Sequence, residues 1–366
     1  MNFDYNEEQQ LLADSVRRFL AKDYGFEARK KVVSSKDGYS AEVWAQLAEM
    51  GLTGLPFSPD FGGFGGGAVD LMGVMEAAGD ALLVEPYLPT LMAGQLVARA
   101  GSDAQKKAIL PQVVEGKLKL ASAHTEKGAR YNLSKVSATA KAAGAGWVLT
   151  GEKAVVLGAA AADRLVVSAI TGKGMSLFLV DTKDAKLKSY VTLDEMRAAD
   201  VVLKDSKGEL LGTEGGAQAL VEEVVDYATA LICAEAVGAM KYSCDTTLEY
   251  LKTRKQFGVT IGNFQALQHR MVDMYVSYEQ AKSMACLACS KVDSPADARD
   301  RARAVSAAKI KIADNARHIS QEAIQLHGGM GMTDEMKVSH SFRRLTMIAQ
   351  QFGDAEHHLA RFARLS

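Results

Sequence analysis

The stretch WVLTGEKAVVLGAAAADRLVVSAITGKGMSLFLV, from Trp147 to Val180, decides the architecture. It contains Trp147-Val148-Leu149-Thr150, Ala154-Val155-Val156-Leu157, Leu165-Val166-Val167 and Met175-Ser176-Leu177-Phe178-Leu179-Val180. These runs read as short strands, punctuated by glycines and by Asp or Lys. No long helix lies between them, so a parallel βαβ sheet does not fit. A compact β-sandwich or small barrel is expected over residues 118–215.

Both flanks read as helix. Leu12, Val16, Phe19 and Leu20 repeat at helical spacing. Ser40 is placed to cap a helix carrying Val43, Leu47 and Met50. The loop Phe61 to Gly67 is glycine-rich, but no β-rich run precedes it and no Lys-Ser/Thr follows, so it is not read as a phosphate loop. A helix-like segment runs from Val69 to Leu83, stopped by Pro86 and Pro89. Another runs from Ala104 to Val114, ended by Gly116. Beyond the β region, glycine and proline are scarce from Gln218 to Tyr250 and from Phe264 to Val292. Ser294-Pro295-Ala296-Asp297 marks a turn, and Ala298 to Leu326 is again helical, with Ala308, Ile312 and Ile319 apolar. The expected fold is α+β and multidomain: an N-terminal helical domain (1–117), a middle β-sandwich or barrel domain (118–215) and a C-terminal helical bundle (216–366).

A chain of 366 residues with 48% hydrophobic and 24% charged residues suits a folded protein of two or three domains. Its 43 basic and 44 acidic residues give a formal net charge of -1, which offers no cationic excess for nucleic acid. Arg29, Lys30 and Lys31 are expected at a solvated helix end. The opening MNFDYNEEQQ lacks the basic segment and apolar core of a signal peptide. No uninterrupted apolar window reaches the roughly 18 residues of a membrane span. Four cysteines, all in the second half, do not make a disulfide framework. Together these features point to a reducing cytoplasm.

Four clusters can carry chemistry. In Arg254-Lys255-Gln256-Phe257-Gly258, the planar guanidinium of Arg254 suits a pyrophosphate and Phe257 can stack on an adenine or flavin ring. The alternative is a solvated helix end plugged by Phe257. Gln325-Leu326-His327-Gly328-Gly329-Met330-Gly331-Met332 permits close approach of a ligand or a neighbouring subunit, or is a turn between helices. In His124-Thr125-Glu126, Thr125 can donate to a carbonyl or ring nitrogen, or is a structural hydroxyl. No second ligand accompanies His124, so no metal site is expected. In Phe352-Gly353-Asp354-Ala355-Glu356-His357-His358, neighbouring helical positions diverge by about 100°, so the two histidines do not face one ion. There Asp354 reads as a helix cap, with Leu359, Phe362 and Leu365 as the buried stripe. Cys286 and Cys289 lie in a helical run and read as buried thiols.

Taken in order, these clusters resemble the acyl-CoA dehydrogenases. Leu47 to Gly67 resembles that family's early helix and glycine-rich loop, and Glu115-Gly116 with Thr125-Glu126 its entry to the β domain. Arg254 to Gly258, followed by Ile261, Phe264-Gln265 and Met271-Asp273-Met274, is the most specific match. Gln325 to Gly331, with Arg343 downstream, is nearly as specific. The resemblance implies an FAD enzyme acting on acyl-CoA, with an electron-transfer flavoprotein as acceptor. It also implies that Arg254, Phe257, Gln325, Gly328 and Gly329 contact a flavin held mainly by a neighbouring subunit, with Thr125 near the cofactor.

The departures are informative. The family's Thr-Glu-Pro followed by Gly-Ser-Asp reads here Thr125-Glu126-Lys127-Gly128-Ala129-Arg130. The strand that brings Trp to the flavin and ends Ile-Thr-Asn reads Val155-Val156-Leu157-Gly158. Counted without gaps from Gly328, the catalytic glutamate of common members falls on Phe352. The alternative glutamate on the earlier helix, counted back from Phe257, falls on Ala228, with Glu222, Glu223 and Asp226 nearby. The ending Phe352 to Leu359 resembles small subunits of bacterial heteromeric acyl-CoA dehydrogenases, such as those of pimeloyl-CoA dehydrogenase and of steroid side-chain breakdown. That implies a homologous large subunit, commonly in an α2β2 assembly, which supplies the base. Two other readings stand beside it. One is a self-sufficient homo-oligomer with Asp226 or Glu356 as an unusual base, and the other a structural or acyl-CoA-binding homologue.

Overall fold

The computed structural model describes residues 5–144, 146–294 and 297–365. Pro295 and Ala296 of the expected turn lie outside the described residues. Helices α1 (Glu7–Asp23), α2 (Phe26–Ser34), α3 (Ala41–Glu49), α4 (Ala68–Ala81), α5 (Tyr87–Ala100) and α6 (Asp103–Val114) come first. Strands β1 (Leu120–Ala123), β2 (Thr139–Ala143), β3 (Gly146–Leu157), β4 (Arg164–Thr171), β5 (Gly174–Asp181), β6 (Lys186–Val191) and β7 (Arg197–Leu211) follow. Then come α7 (Ala217–Thr253), the hairpin β8 (Lys255–Gln256) and β9 (Val259–Thr260), and helices α8 (Gln265–Asp293), α9 (Ala298–His327), α10 (Lys337–Gln350) and α11 (Ala355–Arg364). Two compact units result: Lys30–Gly67 with Val84–Ala228, and Met1–Arg29 with Ala68–Leu83 and Thr229–Ser366.

The first unit is built on a closed sheet. β4 pairs β2, β2 pairs β3, β3 pairs β7, β7 pairs β5, and β5 returns to β4. The ring is a small barrel, one of the two forms expected. β1 adds to β4 in parallel and β6 to β7 in antiparallel. Inside lie Leu149, Leu165, Val167, Phe178, Val180 and Val201. Beside the barrel, Ser40 caps α3 by accepting from Val43 N at 3.2 Å. Pro86 and Pro89 do more than end the preceding segment. Pro86 is the N-cap of α5 and Pro89 sits in its first turn, where a missing N–H costs nothing. In the glycine-rich loop, a Cβ on Gly63 would lie 2.1 Å from Phe57 O, so packing within the loop requires that glycine.

The second unit is helical. Met274, Ala281, Ala285 and Ala288 of α8 are buried, as are Val305, Ala308, Ile312 and Ile319 of α9. Arg29 departs from the expected solvated end: it is buried and donates from Nε to Leu82 O at 2.8 Å. α11 also differs from expectation. Asp354 does cap it, accepting from His357 N at 2.8 Å. The inward position, however, belongs to His358, while Leu359 is 59% exposed and Phe362 and Leu365 are half-buried. The stripe turns outward because His358 is needed inside, to bind the turn that precedes the helix. Among the described residues, no helix is long and apolar enough to cross a membrane.

Candidate functional site

Arg254 follows directly on the last residue of α7. Its N–H donates to Tyr250 O at 2.8 Å, and its carbonyl accepts from Ile261 N at 2.9 Å. Between β8 and β9 the two turn residues, Phe257 and Gly258, have φ of 53° and 80°. Positive φ at both positions is the signature of a type I′ hairpin turn, normally Asn-Gly. For phenylalanine the left-handed region costs about 1–2 kcal/mol. The ring is nevertheless 90% exposed, and it meets Phe264 edge to face at 6.1 Å between centroids. The turn thus holds an aromatic ring in solvent at a cost in backbone strain.

The glycine-rich turn lies beside this hairpin. α9 ends at His327, whose ring stacks on Tyr250 with centroids 4.5 Å apart and planes at 29°. Tyr250 carries the carbonyl bonded by Arg254, so the stack joins two motifs distant in sequence. Gln325, Gly328 and Gly329 are exposed. A Cβ added to Gly328 or Gly329 would meet nothing within 4 Å, whereas one on Gly331 would lie 2.8 Å from Ile324 O. Gly331 therefore serves the turn itself, and Gly328 and Gly329 leave bare backbone facing outward. Arg343 pairs with Asp334 nearby in sequence.

Neither expected base position carries a carboxylate. Phe352 is half-buried with φ of 58°, a left-handed conformation that is unusual for a bulky residue. The turn around it is pinned from below. Lys309, fully buried, donates from Nζ to Ile348 O at 2.8 Å, Ala349 O at 3.1 Å and Gly353 O at 2.7 Å. Burial pushes its amine down to about 8. His358 donates from Nε2 to Phe352 O at 3.2 Å, and its Nδ1 faces Ser306 Oγ at 3.3 Å. Burial, with the charge of Lys309 behind it, holds the imidazole at about 3 and so neutral. Glu356 is exposed in the first turn of α11. In the other unit, Ala228 and Asp226 are both buried within α7. Glu223 is paired with Arg99, and Glu222 is exposed.

At the barrel, Thr125 is exposed and its carbonyl accepts from Ala154 N at 2.8 Å. Glu126 is buried and ties down the loop after it. It accepts from Lys153 Nζ at 2.7 Å, Ser137 N at 2.7 Å and Ala138 N at 3.0 Å. Burial works against its charge, but the bonds from Lys153, Ser137 and Ala138 prevail and hold the carboxyl at about 2. His124 Nδ1 lies 2.8 Å from Ser168 Oγ, and burial lowers the ring to about 4. On β3, Val155 forms a bulge with φ of 54° and is half exposed. Gly158 has φ of 74°, and a Cβ there would lie 2.9 Å from Pro89 Cβ. Neither aromatic ring nor hydroxyl is presented from Val155 to Gly158. Cys286 and Cys289 are free and buried, as expected.

Residues 6–117 match the N-terminal domain of acyl-CoA dehydrogenases, 121–205 the middle domain and 214–365 the C-terminal domain. This chain belongs to the acyl-CoA dehydrogenase family. It is 32% identical over 355 residues to the acyl-CoA dehydrogenase FadE12 of Mycobacterium tuberculosis, covering 92% of this chain and 90% of FadE12. A solved variant of the Tcur3481–Tcur3483 steroid acyl-CoA dehydrogenase superposes with a TM-score of 0.89 at 28% identity, covering 98% and 97% of the two chains. PigA, solved with FAD and proline, superposes with a TM-score of 0.91 at 28% identity, covering 100% and 98%.

Acyl-CoA dehydrogenases use FAD, which supplies the acceptor for hydride. The residues of the helical unit suit such a dinucleotide. Arg254 offers a solvent-facing five-donor fork for pyrophosphate, Phe257 a ring face, and Gly328 and Gly329 a backbone beside which an added β-carbon would meet none of the described residues within 4 Å. Three features escaped the sequence reading: the Lys153–Glu126 pair, the Tyr250–His327 stack and the Lys309 pin. A signal for the last was present. Lys309 sits at helical spacing between Val305 and Ile312, inside an otherwise apolar stripe.

Proposed function

We propose that this chain is the small subunit of a heteromeric FAD-dependent acyl-CoA dehydrogenase of the bacterial cytoplasm. The complex introduces a Cα=Cβ double bond into an acyl-CoA thioester. The domains are taken as 1–117, 118–215 and 216–366. Arg254, Phe257, Gln325, Gly328 and Gly329 serve a flavin held mainly by a homologous large subunit, in an α2β2 assembly. Thr125 faces the cofactor region of the β domain, and an electron-transfer flavoprotein accepts the electrons.

The observation that carries the reading is the absence of a carboxylate at both base positions, Phe352 and Ala228, in a chain whose Arg254 and Phe257 are exposed. Removal of the α-proton needs a titratable group within direct reach of the α-carbon. Neither a phenyl ring nor a methyl group can take that proton. The partner then supplies the glutamate, while hydride leaves Cβ. Asp226 is buried and Glu356 lies outward on α11, which favours neither as a substitute base. The Tcur3481–Tcur3483 protein is described as a steroid acyl-CoA dehydrogenase, and steroid side-chain thioesters join fatty and dicarboxylic ones as candidate substrates.

The test is coexpression with a homologous large subunit, followed by flavin counting and an acyl-CoA panel. Arg254→Ala should weaken FAD retention by roughly 10- to 100-fold, the worth of a charge-assisted phosphate contact. A yellow homo-oligomer of this chain that is reduced by acyl-CoA alone would overturn the reading. So would unchanged FAD retention in Arg254→Ala.

A further inference from the structure

Thr125 is exposed on the loop that follows β1, and both of its neighbours are tied down from the barrel. Lys153 of β3 is fully buried and uses all three of its donors. Its Nζ donates to His124 O at 3.2 Å, to Glu126 Oε1 at 2.7 Å and to Ser168 Oγ of β4 at 3.0 Å. Ser168 Oγ in turn lies 2.8 Å from His124 Nδ1. Ala154, next along β3, donates to the carbonyl of Thr125 itself at 2.8 Å. The residues on either side of Thr125 are thus bonded to one ammonium group. Among the described residues, the hydroxyl and the N–H of Thr125 have no hydrogen-bond partner.

We infer that Lys153 is a positioning residue for the cofactor: through its bonds to His124, Glu126 and Ser168 it sets the hydroxyl and N–H of Thr125 against the flavin ring system. The inference rests on the proposed function, which places Thr125 at the cofactor. Stability alone does not account for the pair. A buried ion pair loses in hydration about what it gains in attraction, and an apolar pair of the same volume is commonly as stable. What the ion pair adds is direction. Three bonds fix the ammonium group relative to β3, β4 and the loop, and the Glu126 carboxylate is fixed in its turn by Ser137 N at 2.7 Å and Ala138 N at 3.0 Å. An apolar cluster beneath the loop would not do this, because hydrophobic contact carries no direction. A hydroxyl and an adjacent N–H at a set spacing suit a ligand that offers acceptors in one plane, as the carbonyl oxygens and ring nitrogens of a flavin do.

The experiment uses the coexpressed complex and a thermodynamic cycle. It reads the FAD dissociation constant by equilibrium dialysis, and the midpoint potential of the bound flavin. The variants are Thr125→Val, the paired change Lys153→Met with Glu126→Gln, and all three together. The paired change removes both charges, so neither is left buried alone. Thr125→Val should weaken FAD binding about fivefold, the worth of one neutral hydrogen bond. The paired change should weaken it by a similar factor and shift the potential in the same direction. Once Thr125 is already valine, the paired change should add less than about twofold. If Thr125→Val weakens binding while the paired change leaves affinity and potential as in wild type, Lys153 is structural alone and the inference fails, with Thr125 keeping its place. If the paired change weakens binding equally in both backgrounds, it does not act through Thr125, and the inference fails again. If Thr125→Val has no effect, the placement of Thr125 in the proposed function fails by itself and takes the inference with it. Ser168→Ala covers the case in which the paired variant does not assemble. It leaves the charges paired and takes one bond each from Lys153 and His124. It should weaken binding about two- to threefold in wild type and not in Thr125→Val. An equal effect in both backgrounds, or none in wild type, would overturn the inference.

Discussion

Replacing Lys309 by methionine tests how the turn at Phe352 is held. The ammonium group makes three bonds to carbonyls, at Ile348, Ala349 and Gly353, from a fully buried position. Bonds from a charged donor contribute about 1.5–3 kcal/mol each. Burial opposes them. The fall of the amine from 10.5 to about 8 corresponds to roughly 3 kcal/mol at about 1.4 kcal/mol per unit. Methionine fills similar space, removes the cost of burying charge, and leaves three carbonyls unsatisfied. The balance is a net loss of roughly 3 kcal/mol at pH 7. The pH dependence has a definite sign. The folded-state value lies below the unfolded one, so between about 8 and 10.5 the unfolded chain binds more protons. Stability from this group therefore rises across that window in the wild type and not in Lys309→Met, and the gap between the two widens. Urea unfolding followed by circular dichroism at pH 7 and pH 9.5, at fixed protein concentration, measures both. A difference under about 1 kcal/mol at pH 7, or a gap that narrows in alkali, would refute this account of the turn.

Two further outcomes follow from the site. Gly329→Val should fold with wild-type stability, since its Cβ meets nothing within 4 Å. In the assembled complex it should lower FAD retention by about 10-fold or more, read by equilibrium dialysis against free flavin; undiminished retention would show that the cofactor does not approach that backbone. Glu126→Gln should cost about 3–5 kcal/mol at pH 7, because Lys153 stays buried without its counter-charge. The carboxyl is held at about 2, so the wild-type advantage is fully present above pH 4.5 and is lost as pH falls towards 2. Denaturation at pH 7 and pH 3 should show the gap between the two proteins closing in acid.

The long C-terminal helices were legible because glycine and proline bound them sharply, and β4 and β5 because each carries an uninterrupted apolar run, Leu165-Val166-Val167 and Leu177-Phe178-Leu179-Val180. α5 was not, because Pro86 and Pro89 signal the end of one helix and the start of the next alike. β7 was hidden for a different reason. Lys204-Asp205-Ser206-Lys207-Gly208 carries no apolar alternation to mark a strand, yet these residues sit in one, held by pairing to β3. Tertiary pairing there overrides local preference. For the candidate site, residue identities in the Arg254 and Gly328 segments were readable, but their nearness was not. That depends on the Tyr250–His327 stack, between side chains that no local pattern links. The outward turn of Leu359 was equally invisible, because an exposed apolar stripe has the same spacing as a buried one.

Gly158 ties the end of β3 to the start of α5. Its backbone lies in the left-handed region, and a β-carbon placed on it would lie 2.9 Å from Pro89 Cβ and 3.3 Å from Pro86 Cβ. A larger side chain is therefore barred there unless the helix start gives way first. Substitutions at Gly158 and at Pro89 are for that reason coupled and not additive: either alone carries a cost that depends on the other. What can be built at this strand is decided as much by two prolines far back in the sequence as by the strand itself.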